Sequence, residues 1–270
     1  MGFIRPLKCM PNVNILTGII KLNPHVFNGT EKQLIASYYN YIGMEGGTGI
    51  LPLSLTLAQR EFFKVAYSSK AKKYSLDWIE GLYVNGLLSC PMCGGDGPRT
   101  IEHYLPKECY PEYSVLSYNL IPSCGTCNAK RGSYNKYLQW PSLLHPYFDA
   151  DIFSRLLLEV DLTIETGVPN FSMVFNSEAF TSWELSRIQA HIRICVDMPS
   201  FRSKCFGFLT EYKFAGEMYG AVAKYFKTYL PIRLKILAGG GNKNCWESAL
   251  IRGVMKRPDV AEKIMKSRTY

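Results

Sequence analysis

Cys90-Pro91-Met92-Cys93, Thr100-Ile101-Glu102-His103-Tyr104-Leu105-Pro106-Lys107 and Asn119-Leu120-Ile121-Pro122-Ser123-Cys124-Gly125-Thr126-Cys127-Asn128 are the stretches that decide the fold. The outer two each carry a Cys-x2-Cys pair. Two thiols at that spacing converge on one ion, and Gly94 and Gly125 are placed to permit a tight turn. Four thiolates fill a tetrahedral Zn²⁺ shell and leave no open position. Cys90, Cys93, Cys124 and Cys127 therefore read as ligands of a structural zinc that folds the chain around itself. The alternatives are buried cysteines paired by chance and a redox Cys-x2-Cys, which needs one pair and not two.

The loop that this zinc closes carries the polar residues of interest. Thr100 to Lys107 reads as a short strand ended by Pro106, and Asn119 opens a second strand through Pro122. Asn128, directly after Cys127, stands at the start of a short helix with Lys130 and Arg131. Taken singly, Glu102-His103 is an ordinary salt-bridging strand pair, Asn119 a turn residue and Asn128 a helix N-cap. Their order inside one metal-closed loop is what argues for a site.

At these residues, from Cys90 to Asp149, the chain resembles the HNH nuclease family. Asn128 stands where the family pattern often ends in His, the His-Asn-Asn variant, and Glu102 where Asp is common. The resemblance implies a ββα-metal core that hydrolyses phosphodiester bonds and leaves 5′-phosphate and 3′-hydroxyl ends. His103 is then the general base, since an imidazole with a pKa of ~6.5 suits that task near neutral pH. Glu102 and Asn128 offer oxygen ligands to one Mg²⁺ or Mn²⁺, which supplies charge and stabilises the leaving group. Asn119 orients His103 or braces the loop between the strands. Lys107, Lys130 and Arg131 are candidates for flanking phosphates, with solvated helix charges as the plain alternative for the last two. DNA is the expected substrate. RNA stays open, because such a site reads phosphodiester geometry and not the sugar. A catalytically inactive zinc-ribbon adaptor for nucleic acid or protein is the non-enzymatic alternative, and the intact His103, Asn119 and Asn128 argue against it.

Two shorter segments extend the resemblance. Leu144-His145-Pro146-Tyr147-Phe148-Asp149 and Gly241-Asn242-Lys243-Asn244-Cys245-Trp246-Glu247-Ser248-Ala249-Leu250 are similar to stretches of a group of bacterial HNH proteins. Many of that group are encoded with an ATPase in phage-defence pairs such as Septu, or with a retron. The resemblance implies an effector nuclease controlled by such a partner. His145 and Asp149 either join the site or hold a turn.

The remainder frames this core. The net charge of +9 over 270 residues suits a polyanionic partner such as nucleic acid, though basic proteins with other roles are common. Nine cysteines, an odd number, argue against a disulfide framework; Cys9, Cys109, Cys195, Cys205 and Cys245 read as small apolar fillers. No apolar run approaches the ~20 residues of a membrane helix, and the N-terminus does not read as a secretion signal, so a cytoplasmic protein without a membrane partner is expected. The Gly43 to Gly49 loop lacks the Lys-Ser/Thr of a phosphate loop. The expected class is α+β, in three parts: a mostly helical 1–85, the zinc-ribbon core 86–149, and a mixed α/β 150–270 for substrate or partner binding. In the first part Thr30, Thr56 and Ser75 are expected to cap helices over Glu31 to Ile42, Leu57 to Tyr67, and Leu76 to Tyr83. In the third, Leu158 to Glu165 alternates as a half-buried strand and Phe171 to Phe175 returns beside it. Helical spacing follows at Leu185, Ile188, Ile192 and Cys195, at Phe208, Tyr212, Ala215 and Tyr219, and from Trp246 to Met255.

Overall fold

In the computed structural model, which describes residues 1–2, 12–47, 49–83, 86–131, 142–218 and 222–266, the N-terminal part is helical. Cys9 and Tyr219 lie outside the described residues. Helix α1 (Asn12–Leu22) buries Ile15, Leu16, Ile19 and Ile20, a stripe at helical spacing. The single turn α2 (Pro24–Phe27) leads to α3 (Glu31–Gly43) and α4 (Leu57–Ser69). Thr56 caps α4 in a reciprocal box: its hydroxyl accepts from the Gln59 amide, and the Gln59 side chain accepts from the Thr56 amide. Thr30 precedes α3 but does not cap it, because its hydroxyl donates to the Phe27 carbonyl. Ser75 does not cap a helix either. It takes a left-handed φ of 53°, and only the turn α5 (Trp78–Gly81) follows. Leu76 and Ile79 are buried as expected, while Tyr83 is exposed.

Strands β1 (Thr100–His103) and β2 (Leu120–Ser123) pair antiparallel, Glu102 opposite Ile121 and His103 opposite Leu120. Helix α6 (Gly125–Arg131) follows β2 directly, and α7 (Ala150–Arg155) follows later. The alternating segment is β3 (Leu158–Glu165), paired along its length with β4 (Val168–Phe175). Thr166 and Gly167, both at positive φ, make the two-residue turn that such a hairpin favours. Helices α8 (Ser182–Cys195), α9 (Met198–Met218), α10 (Val222–Gly239), α11 (Trp246–Lys256) and α12 (Pro258–Lys266) complete the chain. The architecture is mixed α+β, with two separate two-stranded sheets among the described residues. Among them no helix is long and apolar enough to cross a membrane.

Two hydrophobic interiors result. One unites α1, α3 and α4 with both cysteine pairs and the β1–β2 hairpin, and takes Ala190 and Cys195 from α8. The other packs β3 and β4 under α9 to α12. Gly253 marks the closest approach in the second: a Cβ there would lie 2.0 Å from the Val160 carbonyl oxygen. No flexible side chain stands between to yield. Gly253→Ala is expected to force α11 off β3 and cost roughly 1–3 kcal/mol, the usual range for overpacking. Urea unfolding of the two proteins measures it.

Glu112 adds a pH dependence. It is fully buried, and one oxygen accepts from the Leu53 amide at 2.8 Å. Burial outweighs that bond and the Arg60 charge, and lifts the carboxyl to about 7. A raised carboxyl pKa means that the folded chain holds this proton more tightly than the unfolded one. Its contribution is complete below the ordinary carboxylate pKa and is lost as pH rises through about 7. In Glu112→Gln, melting temperature should fall less between pH 5 and pH 8 than in the parent, which a thermal melt series at ~1 pH unit spacing resolves.

Candidate metal centre and active-site hairpin

The knuckles form because backbone amides point at sulfur. Gly95 N donates to Cys93 Sγ, Cys124 N to Cys90 Sγ, and Cys127 N to Cys124 Sγ, all at 3.3–3.4 Å. Gly94 holds φ +71°, and a Cβ on it would strike the Asn244 carbonyl oxygen at 2.6 Å, so glycine is required there. Gly125 is different from expectation: it opens α6 with open space around it and needs no special conformation. The sulfurs of Cys90, Cys93 and Cys124 lie within 4.8 Å of one another, with Cys93 and Cys124 3.6 Å apart. A tetrahedral zinc shell with Zn–S of ~2.3 Å places its sulfurs about 3.8 Å apart. This cluster can hold a metal such as zinc. Hydrogen bonding among the thiols holds Cys90 and Cys124 below the ordinary thiol range and pushes Cys93 and Cys127 above it.

The same pairs place β1, β2 and α6 against one another. On β1, Thr100 and Glu102 share one face and His103 points to the other. Asn128 Nδ2 donates to Thr100 Oγ1 at 3.3 Å, and one turn later Arg131 Nη1 meets Glu102 Oε1 at 2.5 Å. Asn128 is the fourth residue of α6, so it is not an N-cap. Arg131, expected to reach phosphates, has a fully buried side chain and also donates to the His103 and Tyr104 carbonyls. Burial lifts the Glu102 carboxyl to about 7 against the lowering effect of Arg131 and Lys107. Lys130 is also engaged, donating to the Val196 carbonyl at 2.8 Å. Lys107 is partly exposed over the Tyr67 ring.

His103 is buried edge-on to Tyr67, ring centres 4.5 Å apart, with Nε2 3.1 Å from the Ser114 carbonyl. Burial first, then the Lys107 charge, holds its pKa down to about 3, so the ring is neutral. Asn119 sits opposite. Its Oδ1 accepts from the Leu105 amide at 2.7 Å, and its Nδ2 donates to the Leu105 and Tyr113 carbonyls at 3.1 Å. It ties the two ends of the loop that carries Ser114.

Part of this chain is similar to a Septu protein. Septu protein PtuB of Bacillus thuringiensis is 49% identical over 73 residues, 25% of this chain and 28% of PtuB. Protein ea31 of Escherichia phage lambda is 39% identical over 80 residues, 29% of this chain and 27% of ea31. The chain thus spans little more than a quarter of the length of these curated relatives. No family model matches it, and no solved structure does.

The two flanking motifs are built into the support of the hairpin. His145 is buried, and its Nδ1 accepts from the Tyr147 amide at 3.2 Å. Its Nε2 therefore carries the proton toward Tyr41 Oη at 3.2 Å, and that hydroxyl donates to Asn119 Oδ1 at 3.0 Å. Gly46, at φ +67°, passes close to both: a Cβ there would lie 2.9 Å from His145 Cδ2. Asp149 accepts from the His145 amide and takes both Arg187 Nη atoms at 2.6–2.7 Å. The late motif clamps the first knuckle. Ser89 donates to Asn242, Trp246 N to the Gly94 carbonyl, and Asn244 exchanges bonds with Leu156 and Leu158. His191 is buried and joins Met92 to Leu144. Sequence reasoning missed Tyr41, Ser114 and Arg187. They act through a carbonyl 11 residues from His103, a hydroxyl 78 residues from Asn119 and a buried charge 38 residues from Asp149, and carry no local signal.

Proposed function

We propose that this chain is a metal-dependent HNH-type endonuclease that cuts DNA as the effector of a phage-defence system. The observation that supports it best is His103. A carbonyl only accepts, so the Ser114 carbonyl keeps the ring proton on Nε2, and Nδ1 retains its lone pair. A neutral imidazole held in that tautomer offers its lone pair to an attacking water, and its pKa of about 3 must rise toward neutrality as the site opens for it to be an efficient base. Glu102 and Asn128 offer oxygen donors on the face opposite His103, which is the last residue of β1, so metal and base would meet at the end of the strand. They are the residues that would hold a divalent ion, whose charge would neutralise the phosphorane and leaving oxygen. Asn119, wired to Tyr41 and His145, keeps the loop carrying Ser114 closed on His103. The partial likeness to Septu protein PtuB supports the defence role. An ATPase partner follows from the family resemblance.

In the resting chain one Glu102 oxygen is paired with Arg131 and His103 is buried. Weak cutting by the isolated chain is therefore expected, and strong cutting once a partner opens the site. The same ion pair is what favours the second reading, an inactive zinc-ribbon adaptor. The test is cleavage of plasmid DNA and of total RNA with Mg²⁺ or Mn²⁺, with and without EDTA. Metal-dependent DNA cutting supports the proposal. Cutting confined to RNA moves the substrate. Absence of cutting with the ATPase partner present leaves the adaptor.

A further inference from the structure

We propose that Tyr67 is a stacking platform for one unpaired nucleotide of the substrate, seated beside His103, with Lys107 and Lys70 taking the phosphates on either side. The substrate class rests on the nuclease reading; the test does not depend on cutting. Tyr67 lies in the last turn of α4, outside both the hairpin and the cysteine cluster. Its ring meets the His103 ring at an interplanar angle of 69°, with ring centres 4.5 Å apart. His103 is buried and Tyr67 half-buried, so Tyr67 forms one wall of the approach to His103.

Two lysines lie over tyrosine rings here. Lys107 Nζ is 5.4 Å from the centre of the Tyr67 ring, and Lys70 Nζ is 4.7 Å from that of Tyr83, an exposed tyrosine. Lys70 closes α4 just after Tyr67, and Lys107 follows His103 at the end of β1, so both leave elements that border the base. A cation over a ring marks a face that another flat or charged group can reach. Both lysines also hold carboxylates, Lys70 with Glu80 at 2.7 Å and Lys107 with Glu108 at 3.8 Å. Those carboxylates are 65% and 71% exposed, and surface pairs of this kind are weak enough to yield to a phosphate. As a nucleotide enters, Lys107 leaves the ring for the phosphate and the base takes its place on Tyr67. Every base has a π-face, so such stacking tolerates sequence. A base inside a duplex has both faces stacked on its neighbours and must leave the stack to reach the ring. The substrate that fits is therefore nucleic acid with an unpaired nucleotide next to the cut, in a single strand, a loop or a flipped position.

The test is binding of fluorescent oligonucleotides to the full-length chain, read by anisotropy with no Mg²⁺ or Mn²⁺ added, so that nothing is cut. The probes are a short thymidine DNA strand, the matching uridine RNA strand, a DNA duplex and an abasic DNA strand, all of equal length. The parent should bind both single strands more tightly than the duplex, and the tighter of the two tells DNA from RNA. Tyr67→Leu keeps an apolar side chain against His103 but has no π-face. It should lower single-strand affinity roughly fivefold to a hundredfold, the usual worth of one stacked base. Tyr67→Phe should bind as the parent does, and so should Tyr39→Ala, which removes an exposed tyrosine of α3. Lys107→Ala should reduce the slope of log affinity against log salt by about 0.7, the share of one phosphate on a single strand. The abasic strand keeps its phosphates and loses what stacks, so the parent should bind it as weakly as Tyr67→Leu binds thymidine. That arm stands even where melts show that Tyr67→Leu does not fold. A folded Tyr67→Leu that binds like the parent overturns the proposal. So does a parent that prefers the duplex, that binds the abasic strand equally well, or that binds no oligonucleotide. Binding with the expected pattern but without cutting, even beside the ATPase partner, upholds the platform and removes only the nuclease reading.

Discussion

Cys90→Ser is expected to cost the chain its fold along with its metal. Cys90 is fully buried, and its sulfur accepts the amide that opens the second knuckle. The hairpin it supports has only four residues in each strand. A two-stranded sheet of that size is not stable in water by itself. A metal held by these sulfurs would close the loop between the cysteine pairs, and structural zinc is worth roughly 10–16 kcal/mol in small domains. That equals or exceeds the ~5–15 kcal/mol by which a whole domain is stable. The first hydrophobic interior includes Cys90, Met92, Ile101, Leu120 and Cys127, so α1, α3 and α4 lose their packing surface when the hairpin opens. Zinc analysis and thermal melts with and without a chelator test this. The variant should carry no zinc and melt at low temperature or without cooperativity, as should the chelated parent. Cys109→Ser, a half-buried cysteine outside the cluster, should match the parent. A metal-free Cys90→Ser that melts like the parent would reduce the four cysteines to core residues.

What the sequence could reveal follows from how locally each feature is determined. The alternation of Leu158 to Glu165 gives β3 to the residue, because strand period is a property of neighbours. The capping box at Thr56 and the Cys-x2-Cys spacings are local in the same sense. Ser75 failed as a cap because a left-handed backbone at that residue turns the chain before a helix can start. Arg131 was legible as a charge on a helix but not as a buried one. Its place follows from the docking of α6 on β1, which sets Asn128 over Thr100 and Arg131 over Glu102. The Tyr41–His145–Asn119 chain joins residues 78 and 104 positions apart, and only the folded interior brings them together. Helix α12, whose nine residues bury Val260, Ala261, Ile264 and Met265, is short, and Pro258 at its start separates it from α11.

His103→Ala is expected to abolish metal-dependent cleavage, with a loss of ~10²-fold to 10⁴-fold, the usual worth of a general base. The geometry makes the expectation specific. With Nε2 committed to the Ser114 carbonyl, Nδ1 is the ring nitrogen left to accept a proton. Alanine removes that nitrogen and also a buried ring packed against Tyr67, so some loss of stability comes with it. Melting temperature must be measured on the same preparation, and cleavage assayed well below it. His103→Asn supplies the control for packing, since it fills part of the space and offers an amide donor to Ser114 but has no comparable base. Both variants should be inactive under conditions where His25→Ala, an exposed histidine far from the hairpin in sequence, cuts as the parent does. Free imidazole should restore part of the His103→Ala activity if only the base is missing. Cutting by His103→Ala at the parental rate would place the base elsewhere, and the hairpin would then be a scaffold around the metal cluster and not the seat of the chemistry.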